Sequence, residues 1–379
     1  MKTDSQVWAE IDLAAYRHNI RALKGLTAPT ARFMAVVKAN GYGHGAGTVS
    51  RAALQAGADS LGVARLGEAL QLRQAGIEAP ILIFGYTPPN DVPVLAENRL
   101  SQTVFSYPMA EALVAKAAGA DSPLRVHIKI DTGMGRLGIL AGETPLEHRV
   151  REVQSIAALA GLEIEGLFTH FATADSADSS YASLQLRRFR DLIRAPEISD
   201  LRIPLRHAAN SPALINIPKS HFDMVRPGIA TYGLEPSTEW QRSDLDLRPV
   251  LQWKTRIIHL KQVPAGFGVS YGITYETSKP TTLATVAVGY ADGLSRRLSS
   301  RGEMLVGGRR APIVGRICMD LTLLDVGETT EAAVGDEVVI LGRQGDAVLA
   351  AEEMAATLET INYEIVTSIT DRVPRIYAD

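Results

Sequence analysis

Residues 36–45 of the chain, Val-Val-Lys-Ala-Asn-Gly-Tyr-Gly-His-Gly, place Lys38 between an apolar run and a glycine-rich loop. The run is typical of a buried strand, and the segment after the loop is typical of a helix. Lys38 then stands at the carboxyl end of a strand, the edge at which parallel α/β folds carry their active sites. Partial desolvation there would lower the pKa of the lysine and leave a neutral amine for a Schiff base. The alternative is a lysine that extends from a strand end into solvent.

Short apolar runs alternate with amphipathic segments on both sides of this stretch, from about residue 30 to residue 230. Strands that are apolar on both faces are typical of a parallel sheet covered by helices. Eight strand–helix units in about 200 residues predict an α/β fold with an N-terminal (β/α)₈ TIM barrel, and a doubly wound sheet is the competing topology. The predicted strands are Met34–Val37, Ser60–Ala64, Ile81–Phe84, Gln102–Phe105, Arg125–Ile130, Glu165–Thr169, Leu205–His207 and Phe222–Val225.

Beyond residue 245 the pattern changes to short β-type runs separated by Gly, Pro and Asp, which predicts a C-terminal mostly-β domain. Before the barrel, Asp12 is placed to cap a helix, and Val7–Ile11 is suited to add a strand to the β domain. We expect the barrel to span residues 12–240 and the β domain to combine residues 1–11 with 241–379. The predicted β-domain strands are Val250–Ile258, Thr282–Val288, Met304–Val306, Pro312–Val314, Leu321–Val326 and Glu337–Leu341.

The composition narrows the function classes. The 379 residues carry 39 Lys+Arg against 42 Asp+Glu, a net charge of −3, so no basic excess points to nucleic acid. The single cysteine, Cys318, excludes an intrachain disulfide and a zinc site built on several thiolates, and no metal site is predicted. The sequence shows neither a membrane-spanning apolar run nor a signal peptide. We therefore expect a cytoplasmic protein with a small, polar substrate.

The loop after Lys38 also meets a loose dinucleotide-binding pattern, in residues 41–46. That pattern requires an acidic residue at the end of the next strand, about 20 residues further on. Asp59 instead precedes the predicted strand Ser60–Ala64. The sequence therefore does not favour a dinucleotide site.

The Lys38 stretch resembles the pyridoxal 5'-phosphate (PLP) attachment signature of alanine racemases, and further matches follow in family order along nearly the whole chain. These matches are residues 8–13, 127–138, 169–171, 210–211, 225–229, 270–272, 288–293, 318–320 and 361–364. The resemblance implies a PLP-dependent isomerase that interconverts L-alanine and D-alanine and supplies D-alanine for peptidoglycan. It also implies a barrel with a C-terminal β domain and a head-to-tail homodimer with shared active sites. The chain departs from the family at Leu321, where many relatives have Gln, and at Gly41, where Ala is common.

The resemblance implies two catalytic residues. Lys38 matches the lysine that holds PLP and serves as a base on one face of the substrate. Tyr271 matches the tyrosine that the partner subunit supplies on the opposite face, and a two-base racemisation needs a proton-transfer group on each face. A free tyrosine has a pKa of about 10, so Tyr271 needs help from its surroundings. In the family, the histidine matching His170 contacts this tyrosine, and the arginine matching Arg226 contacts the histidine.

The resemblance also assigns the cofactor site. Arg226 matches the arginine that faces the pyridine nitrogen, to which a guanidinium can only donate a hydrogen bond. Barrel enzymes commonly hold a phosphate at the loops after strands seven and eight. Asn210 is either a cofactor ligand or a turn residue before Pro212. The residues expected near the phosphate are Ser211, Gly228 and Ile229 from these loops, and Tyr42 and Tyr363 from the resemblance.

Substrate contacts follow from the same resemblance. Arg136 and the backbone N–H of Met319 match the groups that contact the substrate carboxylate in the family. Asp320 follows Met319 directly. The lysine matching Lys129 is often carbamylated in the family, and its new charge positions the arginine. Tyr290 matches a gate residue on the substrate path, with packing inside the β domain as the alternative.

Other functions remain open at this point. The bulk of Tyr363 favours alanine, but serine or a broader range of amino acids is the nearest alternative. A PLP-dependent decarboxylase of the same fold class and a non-catalytic PLP-binding protein are more distant alternatives. A cofactor-free racemase needs two cysteines, and this chain has one.

Overall fold

Twenty strands build two sheets and one short hairpin in the computed structural model, which describes residues 5–117, 122–142, 144–237, 245–327 and 331–379. The predicted boundary between residues 240 and 241 lies outside the described residues. The strands are β1 (Val7–Asp12), β2 (Arg32–Val36), β3 (Ser60–Val63), β4 (Ile81–Ile83), β5 (Ser101–Val104), β6 (Leu124–Asp131), β7 (Ile139–Leu140), β8 (Leu162–Phe168), β9 (Leu205–His207), β10 (Met224–Val225), β11 (Leu251–Val263), β12 (Gly268–Val269), β13 (Tyr275–Glu276), β14 (Thr281–Val286), β15 (Glu303–Val306), β16 (Arg309–Pro312), β17 (Thr322–Gly327), β18 (Glu337–Gln344), β19 (Ala347–Leu349) and β20 (Arg375–Ala378).

The first sheet closes into a parallel barrel. Its strands follow the order β5-β4-β3-β2-β10-β9-β8-β6, and the pairing of β5 with β6 joins the two ends. All eight predicted barrel strands are present, so the predicted TIM barrel is confirmed. The doubly wound alternative is excluded, because such a sheet keeps two open edges.

Helices alternate with these strands and cover the barrel. The helix that precedes the barrel begins where the sequence predicts, because the Asp12 side chain accepts a hydrogen bond from the N–H of Ala15 over 2.7 Å. Its residues Tyr16, Ile20 and Leu23 are fully buried against the barrel. The helices are α1 (Leu13–Leu26), α2 (Lys38–Tyr42), α3 (Ala46–Gln55), α4 (Leu66–Gln74), α5 (Val92–Glu97), α6 (Tyr107–Ala117), α7 (Leu146–Ala157), α8 (Ser180–Arg194), α9 (Pro196–Ser199), α10 (Ser211–Asn216), α11 (Ala351–Leu358) and α12 (Asn362–Ser368).

The second sheet joins both ends of the described chain. Strand β1 pairs antiparallel with β11 and parallel with β20, so the N-terminal strand lies inside the C-terminal sheet. This placement agrees with the prediction that Val7–Ile11 adds a strand there. One buried apolar cluster continues from the barrel into this sheet, with Ile11, Trp253 and Val366 among its members.

One predicted β-domain strand is wrong. The sequence predicts a strand over Pro312–Val314, whereas β16 ends at Pro312. The reason is a two-residue turn at Gly307 and Gly308, both with positive φ, which pairs β16 with β15 as a hairpin. The strands β7, β12, β13, β19 and β20 are also absent from the sequence prediction.

None of the described helices combines the length and the apolar character needed to cross a membrane.

Candidate active site

A left-handed turn follows β2 and begins at Lys38. The four residues 39–42 have φ between 51° and 62°. This conformation costs roughly 1–2 kcal/mol for each non-glycine residue, so the surroundings have to hold it. The backbone N–H groups of Gly43 and Gly45 donate to carbonyls inside the turn over 2.9 and 2.8 Å. Strained backbone of this kind is concentrated at functional sites.

The Lys38 ammonium is half-buried and has no hydrogen bond or ion pair within the described chain. Burial, and then the charge of Arg136, lower its pKa below the ordinary value of a lysine. The sequence predicts this lowering at the end of a strand. A lysine that simply extended into solvent would keep its ordinary pKa, so the structure favours a reactive amine.

Arg226 follows β10 and is only 4% exposed. Its Nη1 donates to Nδ1 of His207 over 2.8 Å, and its Nη2 donates to the carbonyl of Thr169 over 2.9 Å. Nη2 also lies 3.3 Å from Nδ1 of His170, which is the contact that the sequence resemblance implies. Burial lowers the pKa of Arg226 to about 9, so the guanidinium stays charged at neutral pH. Its described partners include no carboxylate.

Tyr42, Ser211 and Gly228 pack together where β2, β9 and β10 end. The Ser211 hydroxyl accepts a hydrogen bond from the N–H of Gly228 over 2.9 Å. A Cβ at Gly228 would lie 2.4 Å from the Tyr42 Oη, so the close approach requires glycine. Burial raises the pKa of Tyr42, so its hydroxyl remains protonated. This hydroxyl donates to no atom of the described residues, which suits an anionic ligand.

Tyr363 extends this group of donors, with its ring centroid 6.1 Å from that of Tyr42. Burial raises the pKa of Tyr363, and its hydroxyl also has no partner among the residues that the structure describes. Ile229 is buried directly after Gly228. The Asn210 side chain instead accepts from the N–H of Ala213 over 3.2 Å and caps α10, which is the turn role that the sequence left open.

Lys129 lies inside the barrel on β6 and is 4% exposed. Burial, and then the charges of Arg136 and Arg226, lower its pKa to about 8. Its Nζ lies 5.5 Å from the ring centroid of Phe168. Because its pKa is about 8, an appreciable fraction of the Lys129 amine is neutral near physiological pH. The exposed Arg136 is held through its backbone N–H, which donates to the Asp131 carboxylate over 3.1 Å.

Besides Tyr363, four predicted site residues lie on the β domain, and no described hydrogen bond, ion pair or ring contact joins them to Lys38 within this chain. Tyr271 is 69% exposed, Met319 53% and Tyr290 41%, while Asp320 accepts from Arg372 over 2.7 Å. The exposure of Tyr290 does not fit a residue that packs inside the domain. Its N–H donates to the carbonyl of Cys318 over 3.1 Å, which holds it beside Met319.

Comparison with known proteins gives the family. Models of the alanine racemase N-terminal and C-terminal domains match residues 11–236 and 250–377. The chain is 55% identical over 380 residues to the alanine racemase of Desulfosudis oleivorans, with 99% of this chain and 97% of that protein covered. It is 48% identical to the alanine racemase of Desulfovibrio desulfuricans, with 99% of each covered. The chain belongs to the alanine racemase family.

Solved structures of alanine racemases have the same fold. The enzyme of Streptomyces lavendulae is 41% identical with a TM-score of 0.92, covering 100% of this chain and 98% of that chain. The Bacillus anthracis enzyme with bound L-Ala-P is also 41% identical with a TM-score of 0.92, covering 100% and 96%. The agreement extends over both domains of this family member.

Two residues that lie next to the active site of this racemase were not predicted from its sequence. His207 contacts Arg226 from the end of β9, and a polar residue at a barrel-strand end is a signal that could have found it. Arg375 donates to the carbonyl of Gly43 over 2.9 Å and to that of Ile369 over 2.7 Å. It thereby ties the Lys38 loop to the C-terminal segment. No sequence signal reveals this contact, because Gly43 and Arg375 are 332 positions apart.

Proposed function

We propose that this chain is a PLP-dependent alanine racemase that interconverts L-alanine and D-alanine by a two-base mechanism. The observation that carries the proposal is Lys38, a half-buried amine with a lowered pKa at the carboxyl end of β2, which forms no hydrogen bond or ion pair with the described residues. A neutral amine is what a carbonyl group such as the PLP aldehyde requires. Membership of the alanine racemase family over both domains supports the assignment.

The residues around Lys38 fit PLP. We assign the phosphate to the free hydroxyls of Tyr42 and Tyr363 and to the segment of Ser211, Gly228 and Ile229, where the backbone approaches too closely for a Cβ at 228. Asn210 contributes by capping α10 beside them. PLP, when bound, supplies an electron-withdrawing ring that acidifies the Cα–H of the amino acid.

Arg226 determines how strongly that ring withdraws electrons. It is buried and charged, and arginine has donors only, so it would donate a hydrogen bond to an unprotonated pyridine nitrogen. In that arrangement Arg226 would leave the nitrogen without a full positive charge and would make the ring a weaker electron sink. A weaker electron sink suits racemisation, because a long-lived carbanion invites side reactions such as transamination.

Two proton-transfer groups on opposite faces complete the reaction. We assign one face to Lys38 and the other to Tyr271 of the partner subunit. Tyr271 is 69% exposed in a single chain, which leaves it accessible to a second copy. His170 stands next to Arg226, and partial burial with that charge pushes its pKa well below the ordinary value. Because Nδ1 of His170 accepts from Arg226, a neutral His170 carries its proton on Nε2 and can donate a hydrogen bond to the tyrosine oxygen.

The substrate carboxylate is assigned to Arg136 and to the N–H of Met319 of the partner subunit, with Asp320 beside it and Tyr290 at the entrance. We further propose that Lys129 is carbamylated. Its pKa of about 8 provides the neutral amine that attacks CO₂, and the product is an anion near Arg136 and Arg226. A mild mass spectrum without a CO₂ adduct, together with full activity of Lys129→Ala, would exclude this modification.

The finer assignments rest on the family resemblance. They are alanine rather than serine as substrate because of the bulk of Tyr363, a homodimer, a cytoplasmic location and D-alanine supply for peptidoglycan. We propose the same domain division as the sequence suggests, residues 12–240 and residues 1–11 with 241–379. The parallel pairing of β1 with β20 supports the inclusion of the N-terminal strand in the β domain.

Chiral chromatography tests the activity directly. After incubation with PLP and equal L-alanine and L-serine, abundant D-alanine with a trace of D-serine is the expected result. Dominant D-serine would reassign the substrate, and the absence of both D-isomers would contradict the racemase. Lys38→Ala should lose both the activity and the visible absorbance of bound PLP.

Mixing inactive variants tests whether the sites are shared. Lys38→Ala and Tyr271→Phe are each expected to be inactive alone. In a mixed dimer, one site combines the intact Lys38 of one chain with the intact Tyr271 of the other. Re-equilibrated mixtures should recover about one quarter of the wild-type activity, because half of the dimers then carry one intact site. No recovery would place both residues in the same chain.

A further inference from the structure

Four polar side chains form a line through the barrel interior from Arg226 to Glu165. Nη1 of Arg226 lies 2.8 Å from Nδ1 of His207, and Nε2 of His207 lies 2.8 Å from Nδ1 of His127. Nε2 of His127 lies 3.6 Å from a carboxylate oxygen of Glu165. The two histidines are 0% and 3% exposed, so water does not compete for the hydrogen bond between the two rings.

The backbone is shaped to build this line. The pairing register between β6 and β8 shifts before His127, which leaves Glu165 as the extra residue of a β-bulge and sets Gly166 opposite His127. Bulges re-aim side chains and are frequent near active sites. A Cβ at Gly166 would lie 2.2 Å from Nδ1 of His127, so glycine makes room for the ring. Phe168 stacks on His207 with a centroid distance of 4.7 Å.

The two ends of the line fix the direction of its two hydrogen bonds and the ring nitrogen of His127 that faces Glu165. Arginine only donates, so Nδ1 of His207 accepts and the ring proton sits on Nε2. That proton is donated to Nδ1 of His127, so the proton of His127 also sits on Nε2 and faces Glu165. A carboxylate only accepts, so both ends require the same arrangement. Burial lowers the pKa of both rings, which keeps them neutral at pH 7.

The surroundings of Glu165 keep its carboxylate ionised, so that it can only accept hydrogen bonds. Ser101 on β5 donates to the carboxylate oxygen that faces His127, and Nε of Arg125 lies 3.7 Å from the other oxygen. Burial alone would raise the pKa of Glu165, but the contact with His127 and the hydrogen bond from Ser101 outweigh burial and lower it. The carboxylate is therefore ionised throughout the neutral range.

We propose that Glu165 is a positioning residue for Arg226: its carboxylate anchors the two rings that hold the guanidinium in one orientation. Glu165 acts only through His127 and His207. The catalytic consequence rests on the proposed function, in which Arg226 faces the pyridine nitrogen of PLP. Without this anchor the guanidinium would adopt several orientations. Its hydrogen bond to that nitrogen would then be poorly aligned, and the positive charge near the nitrogen would vary.

Three variants separate this role from a structural one. Glu165→Leu removes the acceptor, and Glu165→Gln keeps an acceptor oxygen without the charge. Glu163→Leu is the matched control, because Glu163 lies on the same strand and pairs with Arg125 at 3.6 Å but with neither histidine. All are compared as full-length proteins, as purified and after loading with PLP.

Long-range ¹H–¹⁵N NMR of the histidine rings shows which ring nitrogen carries the proton, and this measurement does not depend on activity. The wild type, Glu165→Gln and Glu163→Leu should show His127 and His207 neutral and protonated on Nε2. In Glu165→Leu the His127 ring should lose this single form, and the ¹⁵N shift of His207 Nδ1 should move with it. A proton on Nδ1 of either ring in the wild type, or an unchanged spectrum in Glu165→Leu, would overturn the proposal.

Kinetics test the consequence for catalysis. An unmet N–H on His127 loosens the two rings and the guanidinium they hold, so kcat of Glu165→Leu should fall about tenfold with KM nearly unchanged. Glu165→Gln should stay within about threefold of the wild type because it keeps the acceptor. Equal losses in both Glu165 variants would contradict a role in hydrogen-bond direction. The expected NMR pattern in a wild type that does not racemise alanine would refute the proposed function and leave the anchoring intact.

Discussion

The carboxylate of Glu68 accepts a hydrogen bond from the backbone N–H of Ala39 over 2.6 Å. Its other oxygen accepts from the N–H groups of Ala64 and Arg65 over 2.7 and 3.0 Å, which caps the start of α4. One side chain therefore joins a helix N-terminus to the left-handed turn that begins at Lys38. This contact helps to hold residue 39, whose positive φ is unfavourable for alanine.

Glu68→Ala should weaken both structures. Loss of the cap alone is expected to lower the free energy of unfolding by about 1–2 kcal/mol, measured by urea denaturation. The looser turn should also reduce PLP retention, measured as visible absorbance after dialysis. Glu97→Ala, at the exposed end of α5, is the control and should change neither quantity. Full PLP retention in Glu68→Ala would show that the turn holds itself.

Gly228→Ala should destabilise the protein through a clash with the Tyr42 hydroxyl. The added Cβ would lie 2.4 Å from Tyr42 Oη, and overpacking of this kind costs about 1–3 kcal/mol. Tyr42→Phe removes the oxygen, so the double variant should recover part of the loss in a double-mutant cycle followed by urea unfolding. Gly67→Ala is the control, since a Cβ there meets no atom within 4 Å. Strict additivity of the two changes would contradict the contact.

Lys129→Met should change how stability depends on pH. The pKa of Lys129 is about 8 in the folded chain against 10.5 for a free lysine, so the unfolded chain binds more protons between these values. The wild type should therefore gain stability as pH rises from 8 to 10.5. In CO₂-free buffer, the variant should be the more stable below pH 8, by about 3 kcal/mol, and should lack this gain. The exposed Lys261→Met serves as control, and parallel pH curves for wild type and Lys129→Met would refute the burial penalty.

His44 should contribute to acid unfolding. It is fully buried, its Nδ1 lies 2.8 Å from the carbonyl of Tyr42, and its Nε2 has no described partner. Burial lowers its pKa to about 4 from 6.5, so the unfolded chain binds the proton first as pH falls. The associated stability is lost between pH 6.5 and 4 and amounts to about 3 kcal/mol.

His44→Asn tests this contribution, because the amide still donates to the carbonyl and does not titrate. Its stability should fall less steeply between pH 6.5 and 4, although the buried His127 and His207 still contribute. His148→Asn, exposed on α7, should retain the wild-type slope. A wild-type slope in His44→Asn would mean that His44 is protonated in the folded chain at little cost.

Much of the fold was predictable because its signals are local. The apolar runs that become the eight barrel strands indicate a sheet buried on both faces, and Asp12 indicates the start of α1. The hairpin of β15 and β16 also has a local signal, since Gly307-Gly308 favours a two-residue turn. For the candidate site, the position of Lys38 at a strand end and its lowered pKa followed from the same local pattern.

The sequence by itself determined where strands and helices form, that the chain is a two-domain α/β protein, and which motifs it shares with alanine racemases. Only the tertiary structure decided that β5 closes on β6, that β1 joins β11 and β20, and that Arg226 reaches Glu165 through two histidine rings. Local preferences arise from neighbours within a few residues, so they can be read along the chain. Barrel closure, contacts between distant residues and the size of each pKa shift arise from groups far apart in sequence, which meet only when the chain has folded.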